Sequence, residues 1–119
     1  MAGVPPTALV VEDESLLAME VESMLQDRGF GEVALAHSYE EAETLLREGH
    51  DLAVFDMNLD GRSARPLVDA HRAGGGLAIL LTGYEASELR DLGLPVLAKP
   101  VSARAFDRAL AELGFGPDA

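Results

Sequence analysis

The chain has 119 residues, enough for one domain with a substantial core and too few for two. Its 21 acidic residues against 9 basic ones leave a net charge of −12, which repels phosphate backbones and argues against direct nucleic-acid binding. With no cysteine there is no disulfide, thiolate nucleophile or Cys-based metal site, and 48% hydrophobic with 25% charged residues marks a folded chain. The opening Met1-Ala2-Gly3-Val4-Pro5-Pro6 has no basic region leading into an apolar signal core. No apolar run reaches the ~18 residues of a membrane span. A cytoplasmic location without membrane contact is the expectation.

After the Pro-containing lead, Ala8-Leu9-Val10-Val11 reads as a buried strand ending in Glu12-Asp13-Glu14. A helix follows over about 15–28, with Leu16, Leu17, Met19, Val21, Met24 and Leu25 recurring at three- and four-residue steps before the Gly29 stop. Residues 33–36 form a weaker second strand. Ser38 and Glu41 make a capping box that opens a helix to about residue 48, its inner face holding Ala42, Leu45 and Leu46. Then Leu52-Ala53-Val54-Phe55 runs straight into Asp56, the pattern of a strand buried on both faces. A third helix is expected over about 64–73, with Pro66 tolerated in its first turn and Gly74-Gly75-Gly76 as the break.

The fourth strand, Leu77-Ala78-Ile79-Leu80-Leu81, ends at Thr82-Gly83-Tyr84. A short helix over 86–92 has only Leu89 and Leu92 for an inner face, and the fifth strand, residues 95–98, ends at Lys99-Pro100. Ser102 caps the last helix, Val101 and Phe106 have the spacing of a hydrophobic staple, and Phe106, Leu110 and Leu113 point inward before Gly114. Five strands alternating with five helices predict an α/β domain with a doubly wound parallel sheet, one unit over 1–119.

A parallel sheet gathers its strand ends at one edge, where open α/β sheets bind ligands. Here those ends carry Glu12-Asp13, Asp56, Thr82 and Lys99. A single strand-end Asp is most often a turn residue, but the ordered set is a chemistry. Three carboxylates held together repel unless a cation joins them, and an all-oxygen set suits Mg2+, which also takes phosphate oxygens and water. The Lys and the Thr hydroxyl supply a charge and a donor for a phosphoryl group. Asp56 is then a carboxylate nucleophile that forms an aspartyl-phosphate.

In these residues, in this order, the chain resembles the response-regulator receiver domains of two-component signalling over residues 7–113. The resemblance implies the flavodoxin-like receiver fold, with strand order 2-1-3-4-5 and helices on both faces. It implies that Asp56 takes a phosphoryl group from a histidine kinase or phosphotransfer protein, and that a downstream protein reads the result. Glu12, Asp13, Asp56 and the main-chain carbonyl of Asn58 would hold Mg2+, while Thr82 and Lys99 would contact the phosphoryl group. Such a protein catalyses only its own phosphorylation and dephosphorylation. The Lys99–Pro100 bond is often cis in the family.

Asp56 to Gly61, Ser63, Pro66 and Thr82-Gly83-Tyr84 are similar to the subgroup named for a Phe-Ala-Thr-Gly-Tyr-like motif, many of them single-domain regulators. Leu80-Leu81 departs from its Phe-Ala, and Glu12 stands where Asp is commoner. Val96 stands where many receivers carry an aromatic switch residue, so the expected signal path is the loop at Thr82–Tyr84 and the short helix after it. Tyr84 either screens the phosphoryl group from water or packs on the surface of the last helices.

His37, His50 and His71 lack metal-ligand spacing and read as satisfied surface residues. The Gly74–Gly76 run is not followed by a Lys-Ser/Thr and so is no phosphate loop. Glu40, Glu41 and Glu43 form a solvated face, and Glu14 is either an outer acid near the metal or a helix N-terminal charge. A haloacid-dehalogenase-type phosphatase would need an acid two residues after the nucleophile, where Asn58 stands. A flavodoxin-like nucleotide binder would need a Gly-rich turn after the first strand, where the acid triplet stands. The alternative of another class is a receiver-fold docking module acting without phosphorylation. The retained Asp56, acidic pair and Lys99 favour the phosphorylated switch over it.

Overall fold

The computed structural model describes residues 3–83, 89 and 91–116. The chain runs β1 (Thr7–Val11), α1 (Ser15–Asp27), β2 (Glu32–Ala36), α2 (Tyr39–Leu46), β3 (Leu52–Asp56), β4 (Asn58–Leu59), β5 (Arg62–Ser63), α3 (Arg65–Ala73), β6 (Leu77–Thr82), β7 (Val96–Ala98) and α4 (Ala103–Glu112). Five strands form one parallel sheet in the order β2-β1-β3-β6-β7. Because β4 and β5 form a separate antiparallel hairpin, this is the expected 2-1-3-4-5 order of the sheet strands.

The uninterrupted apolar runs occupy the centre, where both faces of a strand are covered. β3 is buried at every residue and hydrogen-bonds β1 on one side and β6 on the other. Alternate side chains feed two cores. Val10, Leu52, Val54, Ile79 and Leu81 join Val21 and Leu25 of α1 and Phe106 of α4 on one face. Leu9, Val11, Phe55 and Leu80 join Tyr39 of α2 and Leu67 and Val68 of α3 on the other. Each such aliphatic or aromatic side chain, buried, stabilises the fold by about 1.5–3 kcal/mol.

The expected helix starts are present. Ser38 Oγ accepts a hydrogen bond from the Glu41 N–H at 3.1 Å, and Glu41 reaches back to accept from the His37 N–H at 2.6 Å. Ser102 Oγ accepts from the Ala105 N–H at 3.1 Å, and the staple residues Val101 and Phe106 share one core.

Four features differ from the sequence reading. Leu16 and Met19 are 82% and 56% exposed, because Ala18, Val21 and Leu25 make the buried stripe of α1. A run this rich in apolar residues fits more than one stripe at helical spacing, and the small Ala18 is wholly buried in the core on this face of the sheet. His71 is buried rather than on the surface: its Nε2 lies 2.8 Å from the Leu77 carbonyl oxygen and its ring meets Phe55 edge-on. The imidazole lies so close over Gly76 that a Cβ there would approach it to 2.1 Å, so Gly76 makes room for His71 as well as breaking the chain. The β4–β5 hairpin was not expected. Asp60 and Gly61 turn it with φ of 52° and 86°, the doubly left-handed form that suits a two-residue hairpin loop. Among the described residues there are four α-helices rather than five. The short helix expected over 86–92 falls mostly outside those residues, as does Tyr84; of its inner face, Leu89 and Leu92 pack on the α2–α3 side.

Candidate functional site

The register of the sheet brings the chemistry together. Val11 pairs with Phe55, Asp56 with Leu81, and Thr82 with Ala98, so Glu12, Asp56, Thr82 and Lys99 stand at the carboxyl ends of β1, β3, β6 and β7. Two backbone bonds extend the ladder past the strands: the Glu12 N–H donates to the Ala36 carbonyl, and the Lys99 N–H to the Thr82 carbonyl, each at 3.0 Å. The Lys99–Pro100 peptide bond is cis, as the resemblance implied.

Asp56 is 2% exposed. Its Oδ1 accepts a hydrogen bond from the Asn58 N–H at 3.0 Å, and its Oδ2 accepts from Lys99 Nζ at 3.2 Å. Glu12 is wholly buried. Its Oε2 accepts from the Glu14 N–H at 3.0 Å, whereas Oε1 has no hydrogen bond and lies 3.6 Å from Lys99 Nζ. Burial above all, reinforced by the Asp56 carboxylate, pushes the Glu12 carboxyl up to about 8, against the opposing pull of the Glu14 N–H and Lys99. Burial works against the Lys99 ammonium too, but hydrogen bonding to Asp56 and the charges of Asp56 and Glu12 outweigh it and hold its proton more tightly than usual.

Carboxylate oxygens of Glu12, Asp13 and Asp56 lie within 4.8 Å of one another. Asp13 is exposed and open to a ligand, and the buried Glu12 Oε1 is without a donor. A hard oxygen set with an orphaned carboxylate oxygen fits a small divalent cation, which would supply the missing charge. Glu12, one methylene longer than the commoner Asp, reaches the same cluster as Asp13 and Asp56.

Asp13, Asp56, Asn58, Thr82 and Lys99 all line one cavity of about 760 Å3. Every described residue of the expected site is thus in one place, either lining that cavity or, for Glu12, in the carboxylate cluster beneath it. Glu14 lines the cavity as well, and its N–H, rather than its side chain, serves Glu12. Val96 is half-buried opposite Leu80, with no aromatic ring at that position. The sequence reading missed the hairpin side of the lining, made by Asp60, Gly61 and Ser63, and Arg65 of α3 beyond it. Its signal was the Asp60-Gly61 pair between Leu59 and Arg62, a hairpin turn that folds the chain back beside Asp56.

No protein-family model and no curated protein matches the sequence. Solved structures do match in shape. SdrG from Sphingomonas melonis is 29% identical, with a TM-score of 0.80 over 94% of this chain and 98% of that one. The receiver domain of the hybrid histidine kinase CckA is 26% identical, with a TM-score of 0.73 over 89% and 96%. A response regulator receiver protein from Sinorhizobium medicae is 25% identical, with a TM-score of 0.80 over 92% and 94%. The chain has the flavodoxin-like receiver fold, and its structural neighbours are CheY-like response-regulator receiver domains.

Proposed function

We propose that this chain is a phosphoacceptor receiver of a two-component phosphorelay. The observation that carries the reading is the buried Asp56, paired with Lys99 at 3.2 Å and clustered with Glu12 and Asp13. An Asp56 oxygen attacks the phosphorus of a phosphohistidine on a histidine kinase or phosphotransfer protein. The P–O bond forms as the P–N bond breaks, and the imidazole nitrogen leaves with that electron pair and is protonated by solvent. Lys99 and the Thr82 hydroxyl take up charge on the transferring oxygens. The Asn58 N–H, already on Asp56 Oδ1, orients the nucleophile.

Glu12, Asp13, Asp56 and the Asn58 main-chain carbonyl are the proposed Mg2+ ligands. When bound, the ion neutralises the carboxylates and stabilises charge on the phosphoryl oxygens. The return reaction is attack of water on phosphorus, which frees the Asp56 carboxylate and inorganic phosphate. The chain turns over no separate substrate in this reading. Its output is altered affinity for a downstream protein, in the cytoplasm and without direct contact with nucleic acid. Thr82-Gly83-Tyr84, with Ser63 and Pro66, supports placement in the subgroup with the Phe-Ala-Thr-Gly-Tyr-like motif.

Transfer of radiolabelled phosphate from an autophosphorylated histidine kinase tests the reading. The label should enter the wild type only with Mg2+, should leave on treatment with hydroxylamine as an acyl phosphate does, and should be absent from Asp56→Asn. Label that resists hydroxylamine, or that persists in Asp56→Asn, would contradict it.

A further inference from the structure

The cavity holds a cation that no step above uses. Arg65, the first residue of α3, lines the same cavity as Asp56 and Lys99. Its backbone is fixed by a hydrogen bond from its N–H to Ser63 Oγ at 3.1 Å, but its guanidinium is loosely held. Asp69 lies 3.7 Å from its Nε and Asp91 3.6 Å from its Nη2, both too long for hydrogen bonds. Its Nε is buried and makes no hydrogen bond at all. A guanidinium donates best to a bidentate, doubly charged acceptor, and a phosphoryl group of charge about −2 on Asp56 is a stronger one than either acid.

We propose that Arg65 binds the phosphoryl group on Asp56 as a second cation beside Lys99, giving up Asp91 as it does so. The proposal rests on the phosphoacceptor reading and adds a route for its signal. Asp91 lies in the connection between β6 and β7, next to Leu92, which is 7% exposed and seated in the core on the α2–α3 side. Losing Arg65 removes an ionic tie between that connection and α3. Phosphorylation is thereby reported to the β6–β7 side by an electrostatic exchange, at a site where Val96 offers no aromatic side chain to do it.

The test titrates the full chain with beryllofluoride and Mg2+, the fluoride complex standing in for the phosphoryl group on Asp56, and follows backbone amide shifts by NMR. In the wild type the amides of Asp56, Thr82 and Lys99 should move together with those of residues 91–94. Arg65→Gln should weaken the mimic about five-fold, the size of one partly exposed ion pair, and should abolish the movement at 91–94 while the first three amides still shift. Asp91→Asn should tighten the mimic about two-fold and set the 92–94 amides near their bound positions beforehand. Unchanged affinity and unchanged 91–94 shifts in Arg65→Gln would overturn the role of Arg65 and leave the phosphoacceptor reading intact. Failure of the Asp56 amide to respond in the wild type would overturn both.

Discussion

On one side of Asp56 the chain folds back at once and is tied down at short range. The Asn58 N–H holds Asp56 itself, Leu59 is buried in the core, and Arg62 lies 3.4 Å over the Tyr39 ring while its Nη1 sits 3.0 Å from Glu40. On the other side, the ends of β6 and β7 are joined by the Lys99 N–H to the Thr82 carbonyl, and the connection between them is tied to α3 through Arg65 and Asp91 at 3.6 Å. The two walls suit different tasks. In the proposed reaction, a wall that positions the nucleophile and a metal ligand must not move when charge arrives. One that reports the charge must have a contact weak enough to exchange. The Arg65–Asp91 pair at 3.6 Å is the weak contact, against 3.0 Å for Arg62–Glu40.

Removing a carboxylate from the floor should have the largest effect. Glu12→Ala should weaken Mg2+ or Mn2+ about 100-fold, as measured by calorimetry. The proton competes for the same oxygen. Since the Glu12 pKa rises from 4.5 to about 8 on folding, the native state holds an extra proton between those values. The metal-free protein should therefore be most favoured by this group below pH 4.5 and lose that stability as the pH climbs through 8. Divalent-ion affinity should rise over the same window, and Glu12→Gln should flatten both trends. A metal affinity independent of pH between 5 and 8 would contradict the burial argument.

Next comes the fixed wall. Gly61→Val places a β-branched residue at φ 86° and should destabilise the fold by about 2 kcal/mol in urea melts, with metal affinity falling alongside. Arg62→Ala, losing the Tyr39 stack and the Glu40 pair, should lower stability by about 1 kcal/mol. The smallest effect belongs to the responsive wall: Arg65→Gln should change stability by less than about 0.5 kcal/mol, since its ion pairs are long and partly exposed. Equal losses for Arg62→Ala and Arg65→Gln would erase the contrast between the walls.

The sheet and the set of polar residues at its edge were legible because apolar runs ending in polar residues leave little choice. Leu52 to Phe55 has to be central, and a parallel sheet then carries Asp56 to the same edge as Glu12, Thr82 and Lys99. What was not legible depends on packing between distant parts. The two-residue strands β4 and β5 are too short to show alternation, so only the Asp60-Gly61 turn announced them. The burial of His71 needs the bare backbone of Gly76 beneath its ring, and the exposure of Leu16 and Met19 follows from which stripe of α1 packs on the sheet. Arg65 enters the cavity through the direction in which the hairpin hands the chain to α3.

The most direct measurement is the intact mass of the chain after incubation with acetyl phosphate and Mg2+, for wild type and Asp56→Asn, with a kinase-driven reaction in parallel. If Asp56 is the phosphoacceptor, the wild type gains one phosphoryl group, lost when the metal is chelated and never seen in Asp56→Asn. No gain of mass from either donor would contradict that role, and would favour a docking module whose buried carboxylates serve another end.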